Sequence, residues 1–189
     1  MSISELSSLL KEKALIIHLL SKGDTTLIIR KGGKDDPSGQ LLNKSDTFFL
    51  APSYRHSDPA IFAKEFHRDI EKINLTPDKD TITLSSFARV EKALVIKDKS
   101  KLNSIYGWHG YSKEEAERMF NYKEPLVYLY LLRVYNLQKP IIIPKPDNYS
   151  GCKSLVSLNK NVAISSYEPA VSDIIYSYRK DILMQLLKG

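Results

Sequence analysis

Cys152 is the only cysteine in the chain, so an intramolecular disulfide is impossible and a metal site built on cysteine is not expected. No apolar run approaches the roughly 20 residues needed to cross a bilayer. The opening stretch MSISELSSLLKEK lacks the basic-then-apolar order of a signal peptide. A cytoplasmic location without a membrane partner is the expectation. Several catalytic signatures are missing as well: the nucleotide-triphosphate loop, the dinucleotide fingerprint, His-Glu-x-x-His and Gly-x-Ser-x-Gly. The nuclease pattern of Pro-Asp followed by Asp/Glu-x-Lys fails twice. In PDKDTITLSSFARVEK, Glu91 and Lys92 are adjacent rather than spaced, and in PKPDNYSGCKSL, Gly151 stands where the acid before Lys153 belongs. Without paired carboxylates a metal-assisted cut has no ion site. No catalytic residue, metal or cofactor is therefore assigned.

What is present is a globular composition, 42% hydrophobic, 26% charged and 10% aromatic over 189 residues, which suits one domain or one domain with a helical appendage. The net charge of +6 is not spread evenly. Residues 89–160 carry 13 basic and 7 acidic groups, which accounts for the whole excess. Localised positive charge with a pI near 9.2 points to a polyanion such as DNA or RNA; the alternative is that surplus lysines simply keep the protein soluble.

Periodicity predicts a short helix over 3–13, a β-hairpin in ALIIHLLSKGDTTLIIRKGG, and a strand in DTFFLAPSY ended by Pro52. Asp58 and Pro59 look like the start of an amphipathic helix with Ile61, Phe62, Phe66, Ile70 and Ile73 at helical spacing. DTITLSSFARVEKALVI reads as one long or bent strand, or two. Ser112 with Glu115 forms a capping-box pattern before another helix. PLVYLYLLRVYNLQKPIIIPK returns to strand with a break near 138–140. Pro169 opens a C-terminal helix with Val171, Ile174, Ile175, Tyr178, Ile182 and Leu186 on one face. The expected fold is α+β, a mostly antiparallel, barrel-like sheet with flanking helices. Residues 1–168 form one domain, and the helix of 169–189 packs on it or serves docking.

Four constellations carry candidate chemistry. Arg30, Lys31, Gly32 and Gly33 end an apolar strand, where glycines let backbone N–H groups approach an anion and the cations hold it; a tight turn with solvated charges is the alternative. Tyr54 and His56, in SYRHSD, sit between a strand and a helix, where a histidine serves as acid, base or helix cap. Trp108, His109 and Tyr111, in YGWHGYS, lie in the basic segment as a stacking loop would, or plug the end of a barrel. Arg133 stands among apolar strand residues and needs an anionic partner or a ligand if buried.

The stretches KEKALIIHLLSKGDTTLIIRKGG, FFLAPSYRH and LLRVYNLQKPIII, over about residues 10–158, resemble a microbial family of unknown function. That family is marked by a Lys-Glu-Trp opening, an Arg-Lys-Gly-Gly strand end and Phe-Leu-Leu-x-Pro-Thr-x-x-His. Lys13 and Ser53 depart from its pattern, and the C-terminal helix falls outside it. The resemblance implies a role beside DNA restriction or modification, since some members join an Mrr-type nuclease domain, and its strand order looks similar to PUA-like barrels. The expected function is a nucleic-acid-binding module that holds a phosphate at Arg30–Gly33 and a base among Tyr54, His56, Trp108, His109 and Tyr111. The rivals are a metal-independent enzyme acting on a phosphodiester or phosphate substrate through His56 or His109, and a structural subunit that docks a nuclease partner or forms a homodimer.

Overall fold

A computed structural model describes residues 3–31, 46–54, 58–73, 78–150 and 154–188. Its sheet has seven strands: β1 (Glu5–Lys13), β2 (Leu27–Arg30), β3 (Thr47–Ser53), β4 (Thr81–Ile96), β5 (Val127–Pro144), β6 (Leu155–Ala163) and β7 (Tyr167–Pro169). They run in the order β2-β5-β4-β3-β1-β6, with β7 on β5. Among the described residues only β1 and β3 pair in parallel; the other pairings are antiparallel. The mixed α+β expectation is met, but the sheet is not closed into a barrel. The edge of β5 away from β4 is shared by β2 at Tyr128–Leu131 and β7 at Tyr135–Leu137. Among the described residues, no ladder joins β2 to β6.

Neighbouring strand residues divide between two cores because their side chains alternate across the sheet. Leu10, Phe48 and Ala88 face one core, with α1 (Ala14–Lys22), α4 (Lys113–Asn121) and α5 (Asp173–Lys188) packed over it. Leu9, Phe49 and Phe87 face the other, where Phe87 stacks on Tyr135 with ring centroids 4.9 Å apart.

Local readings fail where tertiary contacts outweigh them. Residues 5–13 form a strand rather than a helix, and the expected hairpin is a helix, α1, followed by β2. An apolar run such as ALIIHLL does not separate the two by itself. Burial at Ala14, Leu15, Ile16, Leu19 and Leu20 follows the helical period, and Gly23, at φ 77, closes α1 with its N–H on the Leu19 and Leu20 carbonyls. That left-handed conformation suits glycine. The helix expected from Asp58 is broken into 3-10 turns at Pro59–Ile61 and Lys64–Phe66 and a short α2 (His67–Ile70). Asp58 does cap the first, accepting from the Ala60 N–H at 2.9 Å. The run stops because Phe62 bridges to Tyr111 and the Ala63 N–H donates to the Gly110 carbonyl. Asp69 then ties this segment to α1, accepting from Lys22, Lys72 and His18, and these bonds, led by that from Lys22, pull its carboxyl down to about 2.

Three other expectations are met with adjustments. β4 is a single bulged strand of 16 residues. β5 runs unbroken through Pro140, yet its ladder to β4 steps from Leu84↔Ile141 to Ser86↔Asn136, so the expected break survives as a bulge. Ser112 caps α4, accepting from the Glu115 N–H at 3.2 Å. Pro169 belongs to β7, and α5 begins at Asp173. It buries Tyr176, Leu183 and Leu187, so the apolar face expected from the spacing is split: Val171 and Leu186 pack against the main core, while Ile174 is 84% and Tyr178 67% exposed.

Candidate functional site

The ends of β1 and β2, apart in the sheet order, meet through Arg30, which bonds the Lys11 carbonyl and Glu12, and with α4 they line a pocket of about 640 Å³. Its floor is a carboxylate held from three sides. Glu12, 7% exposed, accepts from Arg30 Nη1 at 2.7 Å on Oε2, and on Oε1 from the Tyr111 hydroxyl at 2.9 Å and the Lys13 N–H at 2.8 Å. A buried carboxylate is stable only when its lone pairs find such donors. Burial, and then the charge of Glu12, push the Tyr111 hydroxyl well above its ordinary range, which keeps it a donor.

The walls come from Lys13, Lys31, Ile61 and one face of α4, with Glu115, Arg118, Met119 and Tyr122. Residues 115, 118 and 119 share that face because they lie three or four apart on the helix, and Tyr122 follows at its C-cap. Arg118 makes two bonds to Glu115, at 2.6 and 2.7 Å. Lys31 donates to the carbonyls of Phe120, Glu124 and Leu126, so its ammonium caps the C-terminal end of α4. Burial lowers the pKa of both Lys13 and Lys31. Four cations thus meet two carboxylates, which leaves the cleft net positive.

Of the residues expected to form the site, Arg30, Lys31 and Tyr111 line this pocket; Gly32, Gly33 and His56 lie outside the described residues. Tyr54, Trp108, His109 and Arg133 do not line it. Tyr54 sits half-buried after β3, in the field of Tyr149, whose hydroxyl donates to the Pro52 carbonyl. Trp108 packs against the main core, and its carbonyl accepts from the Thr25 hydroxyl. His109 is fully buried, accepts from the Tyr111 N–H on Nδ1 at 3.2 Å, and is held at about 4 by burial. A substrate has no path to it, so the proton-transfer role weighed for His109 has no geometry behind it. Arg133 finds the anionic partner its burial requires in Asp173, at 2.5 Å.

Glu12, Arg118 and Tyr122 were not singled out from the sequence, and Lys13 and Glu115 were noted there only as a departure from the family pattern and a capping-box residue. Only Glu12 left a signal there, a charged residue where the alternation of SSLLKEK turns inward. Most of the pocket's cations come from the first 31 residues, and only Arg118 belongs to the basic segment 89–160. Among the described residues no group of three or more His, Cys, Asp or Glu side chains is arranged to hold a metal ion, and no helix is long and apolar enough to cross a membrane.

No curated protein matches the chain. Among solved structures it is similar to ASCH from Zymomonas mobilis, with 17% identity and a TM-score of 0.46 over 81% of this chain and 87% of that chain. A tyrosine-to-phenylalanine variant of that protein gives 14% and 0.45 over 81% and 90%. A serine-to-alanine variant gives 13% and 0.44 over 84% and 92%. A family model matches residues 9–181, a span that takes in half of α5, which the resemblance had left out. The chain belongs to the family described as a domain of unknown function, DUF1802.

Proposed function

We propose that the protein is a nucleic-acid-binding module whose pocket receives one nucleotide. The base lies against Tyr122 and Met119 over the Tyr111–Glu12 floor. The phosphate is held at the rim by Lys13 and Arg118, in the field of Arg30 and Lys31, with Gly32 and Gly33 next in the chain. One observation carries the reading: a cleft of about 640 Å³ joins four cations to two tyrosines, a size that suits a small ligand and a chemistry that suits backbone contact with base stacking. The basic segment 89–160 adds long-range attraction. The service we assign it is DNA restriction or modification, beside a nuclease partner.

The test is fluorescence anisotropy of labelled single- and double-stranded DNA and RNA at about 50 and about 200 mM salt, where a protein contacting several phosphates loses orders of magnitude in affinity. Arg118→Glu, on an exposed helix face, is expected to weaken binding at least about tenfold. Absence of binding, or affinity indifferent to both salt and Arg118, overturns the proposal.

A second reading, docking through α5, draws on the exposure of Ile174, Ile175 and Tyr178. Light scattering of the protein and of Tyr178→Glu tests for a homodimer.

A further inference from the structure

Resting on the nucleic-acid reading, we infer that the pocket selects nucleobases bearing an exocyclic amino group, with Glu12 as the acceptor. The Glu12 carboxylate is already oriented: a strand-end arginine, a tyrosine from the loop before α4 and a backbone N–H fix both oxygens. Oε1 takes two of these bonds and Oε2 one. A carboxylate offers about four lone-pair positions, so Oε2 keeps an acceptor position at the floor of the cleft.

The donor that completes it is set by the surroundings. Lys13, Arg30, Lys31 and Arg118 outnumber the two carboxylates, which disfavours an alkylammonium or any other cationic ligand. The matching ligand is anionic overall and brings a neutral N–H. A nucleotide with adenine, cytosine or guanine meets both conditions, its phosphate among the rim cations and its amino group on Oε2. Thymine and uracil offer a ring N–H flanked by two carbonyls, whose lone pairs face the carboxylate and repel it. Carboxylate acceptance from a base amino group is an established mode of base readout. The three fixed donors make it inexpensive here, because the acceptor needs no ordering when the base arrives.

The experiment compares oligo-dA, oligo-dC and oligo-dT of one length at one salt concentration, so that phosphate attraction is common to all. An oligomer of the purine deoxynucleoside lacking the 6-amino group is measured beside oligo-dA. The expected result is that oligo-dA or oligo-dC binds about tenfold more tightly than oligo-dT, and that removing the 6-amino group removes the advantage of oligo-dA if oligo-dA is the favoured partner. Glu12→Gln, checked for folding by its thermal transition, is expected to level the series; if this variant does not fold, the wild-type series decides alone. Equal binding of all the oligomers overturns the inference and leaves the module reading standing. No binding to any of them overturns both.

Discussion

Two strand arginines in this fold each meet a carboxylate and a tyrosine, with opposite burial. At the end of β2, Arg30 faces Glu12, and it is the carboxylate that is buried, its side chain 7% exposed against 15% for the arginine. Midway along β5, Arg133 faces Asp173, and there the arginine is 6% exposed and the carboxylate 95%. In the first group each carboxylate oxygen has a donor, since Tyr111 and the Lys13 N–H bind Oε1 while Arg30 binds Oε2. The second leaves Arg133 Nη1 and the Tyr176 hydroxyl buried without a hydrogen-bond partner among the described residues, although the guanidinium lies 4.7 Å over the Tyr176 ring. The same side-chain types therefore do different work. A satisfied carboxylate can floor a polar pocket, whereas a half-satisfied arginine fills space beneath a helix.

Removing the buried carboxylate should break the comparison most visibly. Glu12→Ala leaves Arg30 and Tyr111 without their acceptor and is expected to cost about 3 kcal/mol in denaturant unfolding; a cost below about 1 kcal/mol, the scale of an exposed ion pair, would mean the two groups are equivalent. Acid sharpens the contrast next, because buried His109 accepts from the N–H of Tyr111, whose hydroxyl holds Glu12. Burial holds it at about 4 against an ordinary 6.5, so the unfolded chain takes up the proton first. Stability present above 6.5 should fall as the pH drops toward 4, by at most about 1.4 kcal/mol per pH unit. His109→Asn should flatten that slope. Arg133→Met, which exchanges a partly bonded guanidinium for a flexible apolar chain, should change stability by about 1 kcal/mol or less in either direction. The smallest effect belongs to Asp173→Asn, which gives up an exposed charge but keeps an oxygen acceptor for the buried Arg133, below about 1 kcal/mol; melting curves of the two variants side by side check both.

Much of the fold was legible where one local rule acted alone. The Ser112 cap of α4, the long β4 and the Asp58 turn followed from side-chain chemistry at fixed spacing. The first 30 residues were misread because short apolar runs satisfy helix and strand alike, and the choice depends on which neighbour buries them: β3 and β6 for Leu9 and Leu10, the sheet for α1. The outer face of α5 was misread for a related reason. Ile174 and Tyr178 share a stripe in the sequence, but Tyr176, Leu183 and Leu187 match the surface on which the helix lands. At the candidate site, Arg30, Lys31 and Tyr111 were visible as residue types, while their acceptors were not.

The sequence by itself determined the mixed α+β composition, the positive charge and the presence of cations at the end of β2, because these depend on residue type and local period. Only the tertiary structure decided that Glu12, Arg30 and Tyr111 meet. They are 18 and 99 residues apart from Glu12 along the chain, and a bond at such separation exists only once the sheet order and the α4 packing have brought three elements to one corner.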